Sequence, residues 1–92
     1  MEVESVAVIG AGYMGRQISL QTAVHGLKVA LVDPSAEALE EARSFYAGEL
    51  ERRGLDAGQA RAVSARLSYY TAPEDGVPDA DLVIEEIGRA HV

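Results

Sequence analysis

Gly10-Ala11-Gly12-Tyr13-Met14-Gly15 and Asp33 are the residues whose types and spacing suit chemistry with a ligand. The first six fit G-x-G-x-x-G, a pattern that binds phosphate through backbone N–H groups where a strand turns into a helix. Gly10 permits the tight turn, Gly12 lets the backbone approach a diphosphate with no Cβ in the way, and Gly15 lets the helix sit close against a sheet. The N–H groups that open the helix, near Tyr13 and Met14, face the phosphates together with the positive end of the helix dipole. Asp33 follows about 20 positions later, where a carboxylate accepts hydrogen bonds from both hydroxyls of an adenosine ribose. A negative charge there repels a 2′-phosphate, and Pro34 adds no cation to offset it, so the pattern favours NAD over NADP. Flavins use the same strand-helix-strand unit, and the residues before Asp33 do not separate the two. The blander readings are a turn plus a packing contact for the glycines, and a helix-capping carboxylate for Asp33 ahead of Ser35.

Such a motif needs a strand before it and a helix after it. Residues 3–9 end in the apolar run Val6-Ala7-Val8-Ile9, which suits a strand buried on both faces of a parallel sheet. Ile18, Leu20, Ala23 and Val24 give the next segment helical spacing over Arg16 to Val24, and Gly26 is its expected stop. Lys28 to Val32 form a second strand, ending at Asp33-Pro34. Ser35 is the expected N-cap of a helix with the apolar stripe Leu39, Ala42, Tyr46 and Leu50, closed by Gly54. Asp56-Ala57-Gly58-Gln59 suits a capping box for a short helix through Arg66. Leu67 to Thr71 and Leu82 to Ile84 are the third and fourth strands, with residues 73–79 a polar connection. The alternation predicts an α/β fold: the first four strands of a partial, doubly wound parallel sheet with right-handed crossovers.

Composition narrows the rest. The 92-residue chain has no cysteine, which excludes a disulfide framework, a thiolate metal site and a cysteine nucleophile. Its net charge of −7 argues against a nucleic-acid partner. No apolar run approaches the ~20 residues that span a bilayer, so no membrane is expected and the default compartment is the cytoplasm. No metal site is expected either.

The stretch VAVIGAGYMGRQISLQTAVHGLKVALVDPSAEALEEA and the later LSYYTAPEDGVPDADLVIE resemble the N-terminal NAD-binding domain of L-3-hydroxyacyl-CoA dehydrogenases, 3-hydroxybutyryl-CoA dehydrogenases included. The resemblance covers about residues 4–85. Met14, the long helical insertion between the second and third strands, and Ala80-Asp81-Leu82-Val83-Ile84-Glu85 carry it beyond a generic dinucleotide fold. The resemblance implies NAD-dependent oxidation of an L-3-hydroxyacyl-CoA to the 3-ketoacyl-CoA in fatty-acid metabolism, by hydride transfer. Gly10 to Gly15 would form the diphosphate loop and Asp33 would hold the ribose. It further implies an acyl-CoA substrate and a homodimer for the full-length protein.

The family's catalytic His and its Glu partner, the Ser and Asn that polarise the substrate, and its helical C-terminal domain all fall beyond residue 92. No catalytic residue is therefore assigned: His91 is misplaced for the role, and His25 reads as a solvated helix end. The helix from Ser35 to Arg53 would lie near coenzyme A, but Arg52 and Arg53 read as a solvated face. Related hydroxy-acid or L-gulonate-type dehydrogenases, and a non-catalytic nucleotide-binding module, are the alternatives.

Residues 1–86 are thus expected to form a partial NAD-binding domain and 87–92 a tail foreign to it. One back-translation of the last residues, GAG ATC GGA AGA GCA CAC GTC, reads after its first base as a common sequencing adapter. The tail is accordingly read as adapter-derived, with the native chain continuing past Glu85. Leu82 to Glu86 would then lie at an exposed sheet edge, which invites self-association. The nucleotide sequence checks the tail: adapter codons at 87–92 are expected, and different codons there would end the idea.

Overall fold

The computed structural model describes residues 2–85; Glu86 and the expected tail at 87–92, His91 included, lie outside the described residues. The elements run β1 (Ser5–Ile9), α1 (Tyr13–Val24), β2 (Lys28–Val32), α2 (Ala36–Arg52), α3 (Ala57–Ala65), β3 (Leu67–Tyr70), α4 (Pro73–Gly76) and β4 (Leu82–Glu85). All strand pairs are parallel, in the order β3-β2-β1-β4. This is the expected partial doubly wound α/β sheet.

Register explains why the strands read as apolar runs. Val6, Val29 and Leu67 pair in one row and Val8, Leu31 and Tyr69 in the next, all on one face of the pleat. That face forms the core with Leu20 and Ala23 of α1, Leu39, Ala42, Tyr46 and Leu50 of α2, and Val63 of α3. The stripe read from the sequence is the buried face of α2 without exception. Ala7 and Val32, which point to the other face, are also buried, so the two central strands are covered in part on that side too, with Lys28 exposed and Ile9 and Ala30 half-buried.

Local chemistry sets the helix ends. The Ser35 hydroxyl accepts the Ala38 N–H at 3.0 Å and so caps α2. Asp56 and Gln59 complete a reciprocal capping box at 2.8 and 3.0 Å. Gly26 and Gly54 follow α1 and α2 as expected. The Arg66 guanidinium donates to the Ala23 carbonyl at 2.8 Å, which ties the end of α3 to the negative end of α1. At the foot of the sheet the exposed Asp81 carboxylate accepts from the Glu4 and Ser5 N–H groups, and these bonds hold its pKa below the usual carboxylate range.

The structure departs from the sequence reading between β3 and β4. The stretch expected as a plain polar connection contains the single turn α4, with Pro73 in its first turn, where a missing N–H does no harm. Gly76 lets that turn lie on the sheet, because a Cβ there would stand 2.8 Å from Tyr70 Cδ2 and 2.9 Å from Val32 Cγ2. Helix α1 starts at Tyr13, where the glycine motif puts its opening N–H groups, and runs on through the apolar periodicity from Arg16 to Val24.

Two features carry consequences for stability. Tyr46 is buried with its ring 6.4 Å from that of Tyr69, and burial pushes its phenol up to about 12, partly offset by the adjacent Ser19 hydroxyl. Neither oxygen reaches full hydrogen-bond geometry with a partner among the described residues. Strand β4 pairs only with β1 among the described residues, and its Leu82 and Val83 are 45% and 44% exposed.

Three outcomes follow. Gly76→Ala is expected to destabilise the chain by about 1–3 kcal/mol in denaturant unfolding, through the clash with Tyr70 and Val32. The Tyr46 phenol is neutral in the fold and ionises more easily once unfolded. Its stabilisation is therefore complete below pH 10.0 and lost as pH rises towards about 12, which tyrosinate absorbance during alkaline unfolding reads directly. Val83→Lys is expected to reduce self-association in sedimentation; an unmutated chain that is already a monodisperse monomer would contradict a sticky edge.

Candidate functional site

The site is built where β1 hands the chain to α1. Strand β1 ends at Ile9, and Gly10 turns the corner with φ 114°, a conformation that a side chain strongly disfavours. The Gly10 N–H donates to the Val32 carbonyl at 2.7 Å, so the corner is tied to the last residue of β2. Ala11 is completely buried, and its N–H donates to Asp33 Oδ2 at 2.8 Å. Gly12 is the N-cap of α1 with φ −71° and ψ −169°, extended backbone that any residue adopts. The case for glycine at this position therefore rests on the close approach of a ligand to an exposed backbone, not on strain.

Helix α1 presents its positive end at this corner. Among the described residues no side chain caps it, and its first turn has no acidic residue. The N–H groups of Tyr13 and Met14 stand at the start of the helix, and Arg16 N–H bonds back to Gly12 O at 2.9 Å. The Tyr13 and Met14 side chains are 68% and 55% exposed and leave this backbone accessible. Gly15, Ser19, Leu20 and Ala23 are the buried face of α1, and small residues at 15, 19 and 23 let it pack low on the sheet.

Asp33 stands half-buried on the first residue after β2. Its own N–H donates to the Tyr70 carbonyl at 3.0 Å. Its carboxylate accepts from Ala11 N–H through Oδ2 and from Ser35 N–H, at 2.9 Å, through Oδ1. The capping alternative is thus realised only in part: Ser35 caps α2, and Asp33 braces the residue that does so. An ionised carboxylate has about four lone-pair positions, so two backbone bonds leave acceptor capacity on both oxygens.

The sequence-predicted residues Gly10, Ala11, Gly12, Tyr13, Met14, Gly15 and Asp33 therefore converge at the C-terminal ends of β1 and β2. Strand β4 lies on the other side of β1, so the corner sits where the sheet order reverses, the place where open α/β sheets hold ligands. An uncapped helix start without acidic residues, an exposed N-cap glycine and a carboxylate beside the loop suit a dinucleotide: diphosphate on the N–H groups, ribose hydroxyls on Asp33. A hollow of about 150 Å³ beneath α4, lined by residues such as Ala30, Ser68 and Asp79, contains none of these residues. Among the described residues, no group of three or more His, Asp or Glu is placed to hold a metal, and no helix is long and apolar enough to cross a membrane.

Other candidates fall away from the corner. His25 is the exposed C-cap of α1, at the far end of that helix. Arg52 pairs with Glu49 at 2.6 Å, and Arg53 reaches Gln21 near the same far end at 3.0 Å, as expected of a solvated face. Sequence reasoning missed the bond between Ala11 and Asp33. Its donor is a backbone N–H, and no residue type announces that.

Comparison with known proteins bears on the family. Residues 5–89 match the family described as 3-hydroxyacyl-CoA dehydrogenase, NAD binding domain. The chain is 39% identical over 95 aligned residues to a probable 3-hydroxyacyl-CoA dehydrogenase of Caenorhabditis elegans, covering 94% of this chain and 31% of that protein. It is 34% identical to an L-carnitine dehydrogenase of a Pseudomonas species, covering 90% of this chain and 26% of the other. The crystal structure of 3-hydroxybutyryl-CoA dehydrogenase from Escherichia coli superposes with a TM-score of 0.80 at 40% identity, over 92% of this chain and 19% of that one. The chain thus spans about a third or less of the length of these relatives.

Gly10→Ala is expected to cost about 1–3 kcal/mol of stability, because alanine at φ 114° is strained whatever space surrounds it. Denaturant unfolding checks this, and an unchanged midpoint would show that the corner relaxes freely.

Proposed function

The chain belongs to the 3-hydroxyacyl-CoA dehydrogenase family through its NAD-binding domain, and on that premise we propose that it is the cofactor-holding part of an enzyme that oxidises L-3-hydroxyacyl-CoA to 3-ketoacyl-CoA. NAD is the cofactor of this domain. When bound, it supplies the hydride acceptor. The residues of this chain bind and orient it. Gly10 to Gly15 seat the diphosphate on backbone N–H groups, and Asp33 accepts from the adenosine ribose. The observation that carries the reading is the Asp33 carboxylate 2.8 Å from the N–H of Ala11, the residue before Gly12, the N-cap of α1.

In this reading residues 1–86 are part of the NAD-binding domain and 87–92 are a tail outside it. On this reading the general base toward the 3-hydroxyl and the acyl-CoA site lie outside these 92 residues, which span 31% of one relative and 19% of another. The 92 residues alone bind cofactor without turnover, and the whole enzyme acts as a homodimer in fatty-acid oxidation. The likeness to an L-carnitine dehydrogenase favours, as a second reading, a related NAD-dependent hydroxy-acid dehydrogenase.

Titration of the chain with both cofactors tests the site. NAD is expected to bind at least about tenfold more tightly than NADP, because a 2′-phosphate would meet the Asp33 carboxylate. Asp33→Ala is expected to weaken NAD by about 1.5–3 kcal/mol, the size of a hydrogen bond to a charged group, and to shrink the difference between the cofactors. Equal affinities for NAD and NADP in the unmutated chain would refute this role for Asp33.

A further inference from the structure

We propose that Asp33 is also a positioning residue: its carboxylate is the latch that holds the diphosphate loop in its binding shape before any cofactor arrives. The proposal rests on the reading of Gly10 to Gly15 as the diphosphate loop, and it adds a task that ribose recognition does not require.

The geometry is specific. Ala11 is completely buried, so its N–H has no route to water. A buried amide without an acceptor is costly, and the acceptor here is Asp33 Oδ2 at 2.8 Å. The carboxylate is itself fixed. Ser35 N–H holds Oδ1 at 2.9 Å, and the Asp33 backbone is held by Tyr70 at 3.0 Å. On the loop side the Gly10 N–H is held by Val32. Two adjacent donors of the corner, Gly10 and Ala11, are therefore tied to two adjacent residues, Val32 and Asp33. Beyond them lies Gly12, the N-cap, with no side-chain cap of its own. With the carboxylate gone, Ala11 N–H turns away to find another partner, and the N–H groups of Gly12, Tyr13 and Met14 turn with it.

This separates two effects of opposite sign. As a bare charge, Asp33 repels a diphosphate, so its removal would tighten a ligand that has phosphates but no ribose hydroxyls. As a latch, it orders the donors that hold the same phosphates, so its removal would loosen that ligand. Dideoxyadenosine diphosphate, which lacks both ribose hydroxyls, is the probe.

Binding of this probe and of NAD is measured by calorimetry on the unmutated chain, Asp33→Ala and Asp33→Asn. Amide hydrogen exchange is followed in the same three proteins. The latch predicts that Asp33→Ala weakens dideoxyadenosine diphosphate by about fivefold or more, the penalty of one orphaned buried donor. Asp33→Asn lies between, since its single amide oxygen serves Ala11 or Ser35 but not both. Exchange at Ala11 accelerates in both variants, while Val8 and Val29 in the strands stay protected, a local pattern that general destabilisation would not give. Equal or tighter binding of the probe by Asp33→Ala overturns the latch, as does unchanged exchange at Ala11. If the variants do not fold, the unmutated chain still decides. A through-hydrogen-bond coupling between the Ala11 amide and the Asp33 carboxylate carbon is expected, and its absence overturns the proposal. Loss of saturable NAD binding in the unmutated chain, with that coupling present, would instead refute the cofactor reading and leave the latch standing.

Discussion

A buried amide hydrogen at Ala11 must have an acceptor, and the Asp33 carboxylate is the one it has. Much of the arrangement follows from that need. The bond joins the first strand-to-helix corner to the end of the second strand, across the parallel pairing that aligns Ile9 with Val32. A shift of one residue in that register would carry the carboxylate away from the corner and turn the apolar side chains of β2 to the wrong face. Core packing and ligand geometry therefore depend on the same alignment.

The helix beyond the corner is placed by a second constraint. Helix α1 brings Gly15, Ser19 and Ala23 to the sheet, and their small side chains set how low it lies. A lower helix brings its N-terminal amides level with the ends of β1 and β2. Its far end is anchored separately, by the Arg66 guanidinium on the Ala23 carbonyl. One end is thus fixed for stability while the other presents the backbone N–H groups of Gly12, Tyr13 and Met14. The chain's acidity makes this economical: with a net charge of −7 and no acid in the first turn of α1, a locally positive backbone is the feature that attracts phosphate.

Much of this was legible in the sequence because the relevant interactions are local. Ser35 and the Asp56–Gln59 pair cap helices through side chains within three positions, and the Leu39, Ala42, Tyr46, Leu50 stripe follows helical periodicity. The parallel sheet was legible because its central strands are largely buried and read as apolar runs. What escaped was non-local or carried by backbone. The turn α4 exists because Gly76 fits beneath Tyr70 and Val32, a contact between segments far apart in the chain. The Ala11–Asp33 bond involves a donor that every non-proline residue has, so only the three-dimensional alignment of β1 and β2 reveals it.

A map of amide chemical shifts on addition of NAD tests the central claim most directly. The largest changes are expected at Gly10 to Gly15 and at Asp33 to Ser35, fading along α1 towards His25. Changes concentrated instead around Ala30, Ser68 and Asp79 beneath α4, with Gly12, Tyr13 and Met14 unmoved, would contradict the account.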